Sequence, residues 1–249
     1  MSEIIIKSKS RVQKHGEVFT PRKIVNKMLD SPGIKECCEN LTSTFLEPAV
    51  GEGAFLIVIL ERKLDMVAKK HNESLNQYEN YSLLALSTIY GIELLEDNAQ
   101  NCTMNLFQVF YEKYNAQLNK YGKSYMNPKV LDSAKLIIAT NISQGNFLTR
   151  YTNADKPIII NEWTAINLDR KPKIIKIIRT EYTLDEIYQG ISKELGEPII
   201  DSPSKKESEQ LSFFDDLLKS EKNTVSKAHY VPSKIIDVYK EEMEEVNED

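Results

Sequence analysis

The chain has 249 residues, a formal charge of −5, 41% hydrophobic residues and 28% charged residues. This composition is ordinary for a globular protein and excludes a wholly disordered or collagen-like chain, and the length allows one or two domains whose core needs no disulfide or metal staple. The longest apolar runs, such as Ala54 to Leu60, fall well short of the roughly 18 residues that read as a membrane span.

In chain order, residues 1–15 are polar and basic. Thr20 to Leu29 reads as a helix, with Thr20 as N-cap and Pro21 at the first helical position, where a missing N–H costs nothing. Thr44-Phe45-Leu46 reads as a short strand, followed by a glycine turn and a helix from about Ala54 to Lys70. A further helix is expected over Leu75–Thr88, a strand over Ile89–Glu93 and a long helix over 96–120. Ile142 to Phe147 looks like a strand end and loop. Pro157 to Asn161 is a buried-type strand, Ile174–Thr180 a β-branched run, and Leu184–Leu195 the last helix of the body. Alternating strands and helices with apolar strands predict an α/β fold, a mostly parallel sheet covered by helices on both faces.

The expected organisation is a body over residues 1–197, a Pro/Ser/charge-rich linker over 198–209, and a loosely attached tail over 210–249 with a terminal helix near Ser233–Val246. Residues 201–249 hold 13 acids and 7 bases, so the acidity belongs to the tail and the body is nearly neutral. A neutral body neither demands nor excludes nucleic acid; any basic stripe must be local. One candidate is Arg170, Lys171, Lys173, Lys176 and Arg179, five bases in ten residues. These residues suit either a phosphate backbone or a lysine-protected edge strand. The three cysteines show no metal spacing, the histidines are scattered, and no secretory leader is apparent. No metal site and a cytoplasmic location are therefore expected.

The segment carrying the most chemistry is Phe45-Leu46-Glu47-Pro48-Ala49-Val50-Gly51-Glu52-Gly53-Ala54-Phe55. A strand runs into a two-glycine turn that opens a helix. Glycine lets backbone approach a ligand closely, and a helix N-terminus offers free N–H groups to an anion. A nicotinamide fingerprint fails, because its third glycine position is Leu56 and the nearest suitable acid, Glu93, lies 42 residues after Gly51.

The order of segments resembles that of gamma-class N6-adenine DNA methyltransferases, including the modification subunits of type I restriction systems. His15-Gly16-Glu17-Val18-Phe19-Thr20-Pro21 resembles their N-terminal cofactor motif. Glu47-Pro48-Ala49-x-Gly51-x-Gly53-x-Phe55 resembles the main S-adenosylmethionine motif. Tyr90-Gly91-Ile92-Glu93 resembles the strand end whose acid holds the ribose hydroxyls. Gln144-Gly145-Asn146-Phe147-Leu148 resembles the next motif, with Asn146 where the family usually has Asp.

The resemblance, over roughly residues 12–163, implies a Rossmann-like methyltransferase fold and an S-adenosylmethionine site. In that site Phe19 packs on the cofactor and Thr20 donates to its carboxylate. Gly51 and Gly53 admit the methionine part, and Glu93 takes the ribose diol. Asn146 pairs with the adenine amino group through its amide oxygen, and Phe147 and Leu148 line the adenine pocket.

The family's catalytic tetrapeptide, Asn/Asp-Pro-Pro-Tyr/Phe, is absent. At the end of the Ile158–Ile160 strand stands Asn161-Glu162-Trp163-Thr164, so Asn161 is the candidate acceptor and Trp163 the candidate aromatic; the alternative for Trp163 is plain core. Only 85 residues follow position 164, too few for a self-sufficient recognition domain. A specificity or restriction subunit is therefore an expected partner besides DNA. In the tail, Gln210-Leu211-Ser212-Phe213-Phe214 is similar to the peptide by which bacterial proteins dock on the sliding clamp. Two functions stay open: an adenine-specific DNA methyltransferase or its cofactor-binding part, and a catalytically silent adaptor with the same fold.

Overall fold

The computed structural model describes residues 7–199 and 227–246. Its elements are α1 (Lys9–His15), α2 (Arg22–Leu29), α3 (Ile34–Cys38), β1 (Phe45–Glu47), α4 (Ala54–Lys70), α5 (Leu75–Leu86), β2 (Ile89–Glu93), α6 (Glu96–Lys120) and α7 (Pro128–Asn141). There follow β3 (Ile142–Gln144), β4 (Ile159–Ala165), β5 (Lys176–Thr183), α8 (Leu184–Gln189), β6 (Lys227–Tyr230), β7 (Ser233–Lys234) and β8 (Met243–Val246).

The chain is mixed α/β with a small parallel sheet of order β1-β2-β3, in which Phe45 pairs with Ile89 and Gly91 with Ile142. β2 is buried along its whole length, as a central parallel strand must be. Gly91 has no room for a side chain: a Cβ there would lie 3.1 Å from Val50, Leu56 and Ile142. The core continues through Leu56, Leu60 and Leu64 of α4, Leu83 and Leu86 of α5, and Leu106 and Phe110 of α6.

Three expectations change. The strands do not form one mostly parallel sheet. β4 and β5 form a long antiparallel pair from Ile159↔Thr183 to Ala165↔Ile177, β7 adds to β5, and β6 pairs with β8. Period-two apolar runs carry no sign of strand direction, so the sequence could not distinguish these cases. The expected terminal helix is instead β7, a 3-10 turn over Ile235–Lys240 and β8. Third, Thr20 does not cap α2; the N-cap is Pro21, without a side-chain cap bond.

The described part of the tail packs on the body. Ile235 and Val238 are buried, the Ile235 N–H donates to the Ile175 carbonyl at 2.9 Å, and Lys129 pairs with Asp237 at 2.9 Å. The linker from 200 and the Gln210–Phe214 peptide lie outside the described residues. No described helix is long and apolar enough to cross a membrane.

Candidate cofactor cleft

The parallel sheet sets all three strand ends at one side. β1 ends at Glu47 and turns through Pro48-Ala49-Val50. The Val50 N–H donates to the Ile92 carbonyl at 3.0 Å, which ties the turn to the end of β2. Gly51 has φ +56 and Gly53 φ +94, left-handed values that favour glycine. The two glycines do different work. A Cβ at Gly51 would meet only the Phe19 ring, at 3.9 Å, so this position is open to the cleft. A Cβ at Gly53 would lie 3.0 Å from Cys102 Sγ, so Gly53 lets α4 start close against α6.

Around this turn lies a cleft of ≈ 550 Å³, a size suited to a small-molecule cofactor. Phe19, Pro48, Ala49, Gly51, Glu93, Asn146, Phe147 and Leu148 all line it, although they come from four segments far apart in sequence. Thr20, Glu47, Gly53 and Phe55 do not. Glu47 and Phe55 line a separate groove with Met28 and Ile34, and burial pushes the Glu47 carboxyl upward. Leu95, Asn98 and Gly145 complete the wall. The periodicity of α6 does not reveal Asn98, a polar residue on a buried helix face.

Glu93 organises the cleft. It is buried, and its Oε2 accepts the Gly51 N–H at 2.8 Å while Oε1 accepts the Leu95 N–H at 3.0 Å. A carboxylate offers about four lone-pair directions; Asn98 Nδ2 takes a third by a long contact to Oε1, at 3.5 Å, so a ligand diol finds one free direction and must displace that long contact for the second. Asn146 is oriented by a turn: its Oδ1 accepts the Leu148 N–H at 2.9 Å and the Thr149 N–H at 3.3 Å. This corrects the expected role of that oxygen, because both its lone pairs are engaged. The amide Nδ2 is left as the donor. Leu148 stands at the rim, 86% exposed.

The N-terminal segment straps the cleft. The Lys7 ammonium lies 5.7 Å from the centroid of the Phe19 ring and pairs with Glu52 at 2.7 Å and Asp97 at 3.2 Å. Arg11 holds Glu17 and Asp97, and Asn98 donates to Glu17 at 2.6 Å. The Arg11 hydrogen bonds hold the Glu17 and Asp97 carboxyls below their ordinary values. A carboxylate lowered in the folded state stabilises above the ordinary range and loses that contribution as pH falls through its lowered value. The protection of the amides of residues 9–19, relative to their intrinsic exchange rates, is therefore expected to drop selectively as pH falls below about 4, while α5 stays protected. Equal protection of the strap across that range would show that these pairs do not hold it.

Asn161 and Trp163 are not in this cleft. Asn161 Nδ2 donates to the Thr140 carbonyl at 2.8 Å, and its Oδ1 accepts from Arg179 Nε at 2.7 Å. Trp163 is 8% exposed and its Nε1 donates to Asn141 Oδ1 at 2.9 Å. Among the described residues no group of three His, Cys, Asp or Glu side chains is placed to hold a metal.

A turn between a parallel strand and a helix, an acid at the next strand end and a polar-aromatic pair at the third place this cleft at the strand ends, where open α/β sheets bind their ligands. The sequence model of one protein family, N-6 DNA Methylase, matches residues 2–162, well over half of the chain. The chain belongs to the N-6 DNA methylase family, and DNA methylation is the activity that membership carries. No curated protein and no solved structure matches it.

Proposed function

We propose that this chain is the S-adenosylmethionine-binding component of an adenine-N6 DNA methyltransferase, completed by a partner subunit. The observation that carries this reading is the convergence of Phe19, Gly51, Glu93 and Asn146 on one cleft at the strand ends of the parallel sheet. The fit to the cofactor rests on chemistry present there. Gly51 leaves open space for the amino-acid end. Glu93, fixed by two backbone donors, takes one ribose hydroxyl directly and a second in place of its long 3.5 Å contact from Asn98 Nδ2. Asn146 Nδ2 donates to a ring nitrogen of adenine, and Phe147 supports the ring. When bound, the sulfonium supplies an electrophilic methyl group.

Two observations support the partner requirement. Asn161 and Trp163, the two residues the sequence offers for holding a target base, have their polar atoms engaged inside the fold, so neither is assigned to catalysis. In addition, among the described residues β1 pairs only with β2. Phe45 spends its N–H on Thr88, at 2.9 Å. By the alternation of a parallel ladder, Leu46 then directs its main-chain groups to the outer edge. Leu46 is 47% exposed, and grooves on either side of it carry exposed Met28, Ile34, Ile187 and Ile191. An apolar, unpaired edge is a template for another strand. A specificity or restriction subunit is the proposed partner, and Gln210–Phe214 is proposed as a docking peptide for a sliding clamp. A reducing cytoplasm is the proposed location.

Assays of tritiated methyl transfer to DNA test this reading. The chain alone is expected to bind S-adenosylmethionine by calorimetry without transferring methyl, and transfer is expected once partner subunits are added. Cofactor binding with no transfer in any combination would leave the silent adaptor.

A further inference from the structure

The basic stretch recognised in the sequence is redistributed by folding. Arg179 turns inward, while Lys171, Lys173 and Lys176 are exposed. Two other segments join them. Lys234 of β7, also exposed, stands directly opposite Lys176 in the β5–β7 pair. The last two residues of α4, Lys69 and Lys70, are also exposed and lead into the start of α5. The Lys173 carbonyl accepts from Asn76 Nδ2 at 3.3 Å, which anchors the loop to the start of α5.

None of these six lysines forms an ion pair with a described acid, whereas Lys7, Lys113, Lys129 and Lys193 all do. Asp169, Glu73 and Asp237 are the acids nearest to them in the chain, and Asp237 is paired with Lys129 instead. In a chain of net charge −5, such a cluster is not a by-product of basic composition.

This surface is remote from the cofactor cleft. α4 starts at Gly53 beside the cleft and runs 17 residues to Lys70, about 25 Å at 1.5 Å per residue. One turn of duplex DNA covers about 34 Å, longer than this helix. Lysines are flexible point charges that position a phosphate backbone without reading bases.

We propose that Lys69, Lys70, Lys171, Lys173, Lys176 and Lys234 form a second, sequence-independent contact for the phosphate backbone of duplex DNA. The proposal rests on DNA being the substrate at the cleft. The test uses the full chain, a fluorescent duplex of about 30 base pairs and a salt series. Replacing Lys171, Lys173, Lys176 and Lys234 together by Gln removes four charges. At about 0.9 per phosphate contact, the slope of log affinity against log salt is expected to flatten by about 3.6, with about 100-fold weaker binding at low salt.

S-adenosylmethionine affinity should be unchanged, which shows that the variant is folded. A control with Gln at Lys120, Lys123 and Lys156 should keep the wild-type slope. An unchanged slope in the quadruple variant, or an equal loss in the control, overturns the proposal while the cofactor reading stands. Binding of the wild type to anionic vesicles but to no duplex overturns it together with DNA as the substrate.

Discussion

Glu93→Ala is expected to weaken S-adenosylmethionine binding by about 100-fold in calorimetric titration. The wild-type carboxylate does two jobs at once. Inward, it accepts the N–H groups of Gly51 and Leu95 at 2.8 and 3.0 Å and so fixes the turn after β1 against the start of α6. Outward, it faces the cleft. Charge-assisted hydrogen bonds contribute about 1.5–3 kcal/mol each, so losing two to a diol accounts for a factor of this size. Alanine also leaves the two half-buried N–H donors to water in the cleft, with a stability cost of about 1 kcal/mol.

Glu93→Gln separates the roles. Its carbonyl oxygen can serve one of the two backbone donors, but its NH₂ faces the other, so the turn loosens and affinity still falls by at least about tenfold. Wild-type affinity in both folded variants would remove Glu93 from the site and with it the reading of the cleft.

The parts of the site legible in sequence are those where one residue type answers one geometric need. Gly51 and Gly53 mark a turn where backbone comes close to a ligand, and Glu93 ends an apolar strand in an acid. What each glycine serves was not legible. Gly53 is explained by Cys102 Sγ, 49 residues away, and no local pattern encodes that contact. Asn146 shows the same limit: its identity suggested an acceptor, but the hydrogen bonds to Leu148 and Thr149 reverse the group it presents.

Long helices such as α4 and α6 carry enough periodicity to be read within a residue or two. Strand partners do not, since β4 and β5 look alike whether parallel or antiparallel. The helix α7, with its Asn127 cap and Pro128, carries a start signal in the sequence itself. The packing of Ile235 and Val238 on the body depends on surfaces built by α5 and α7 and has no local signature.

Arg179→Met is expected to destabilise the protein by about 3–5 kcal/mol in urea unfolding, the range for breaking a buried charge pair from one side. In the sequence Arg179 belongs to a basic run that suits DNA; in the structure its side chain is 11% exposed and fully committed. The guanidinium lies between the Trp163 and Tyr230 rings, 5.7 and 4.7 Å from their centroids. It donates to Asn161 at 2.7 Å, to Glu181 at 2.6 Å and to Glu241 at 2.6 Å.

Tyr230 and Glu241 belong to the C-terminal segment, whereas Asn161, Trp163 and Glu181 belong to the β4–β5 pair. One cation therefore fastens the two together. Methionine fills much of the same volume but leaves the Glu181 carboxylate buried, held only by weaker donors such as the Tyr230 hydroxyl, at 2.9 Å. Arg179→Lys keeps the charge but not the planar fork that serves three acceptors and two rings, so most of the loss should remain. Replacing Glu181 by Gln together with Arg179→Met removes the orphaned charge and should recover part of it. A loss below about 1 kcal/mol for Arg179→Met would mean that solvent reaches Glu181, and Arg179 would return to the set of surface bases available to DNA.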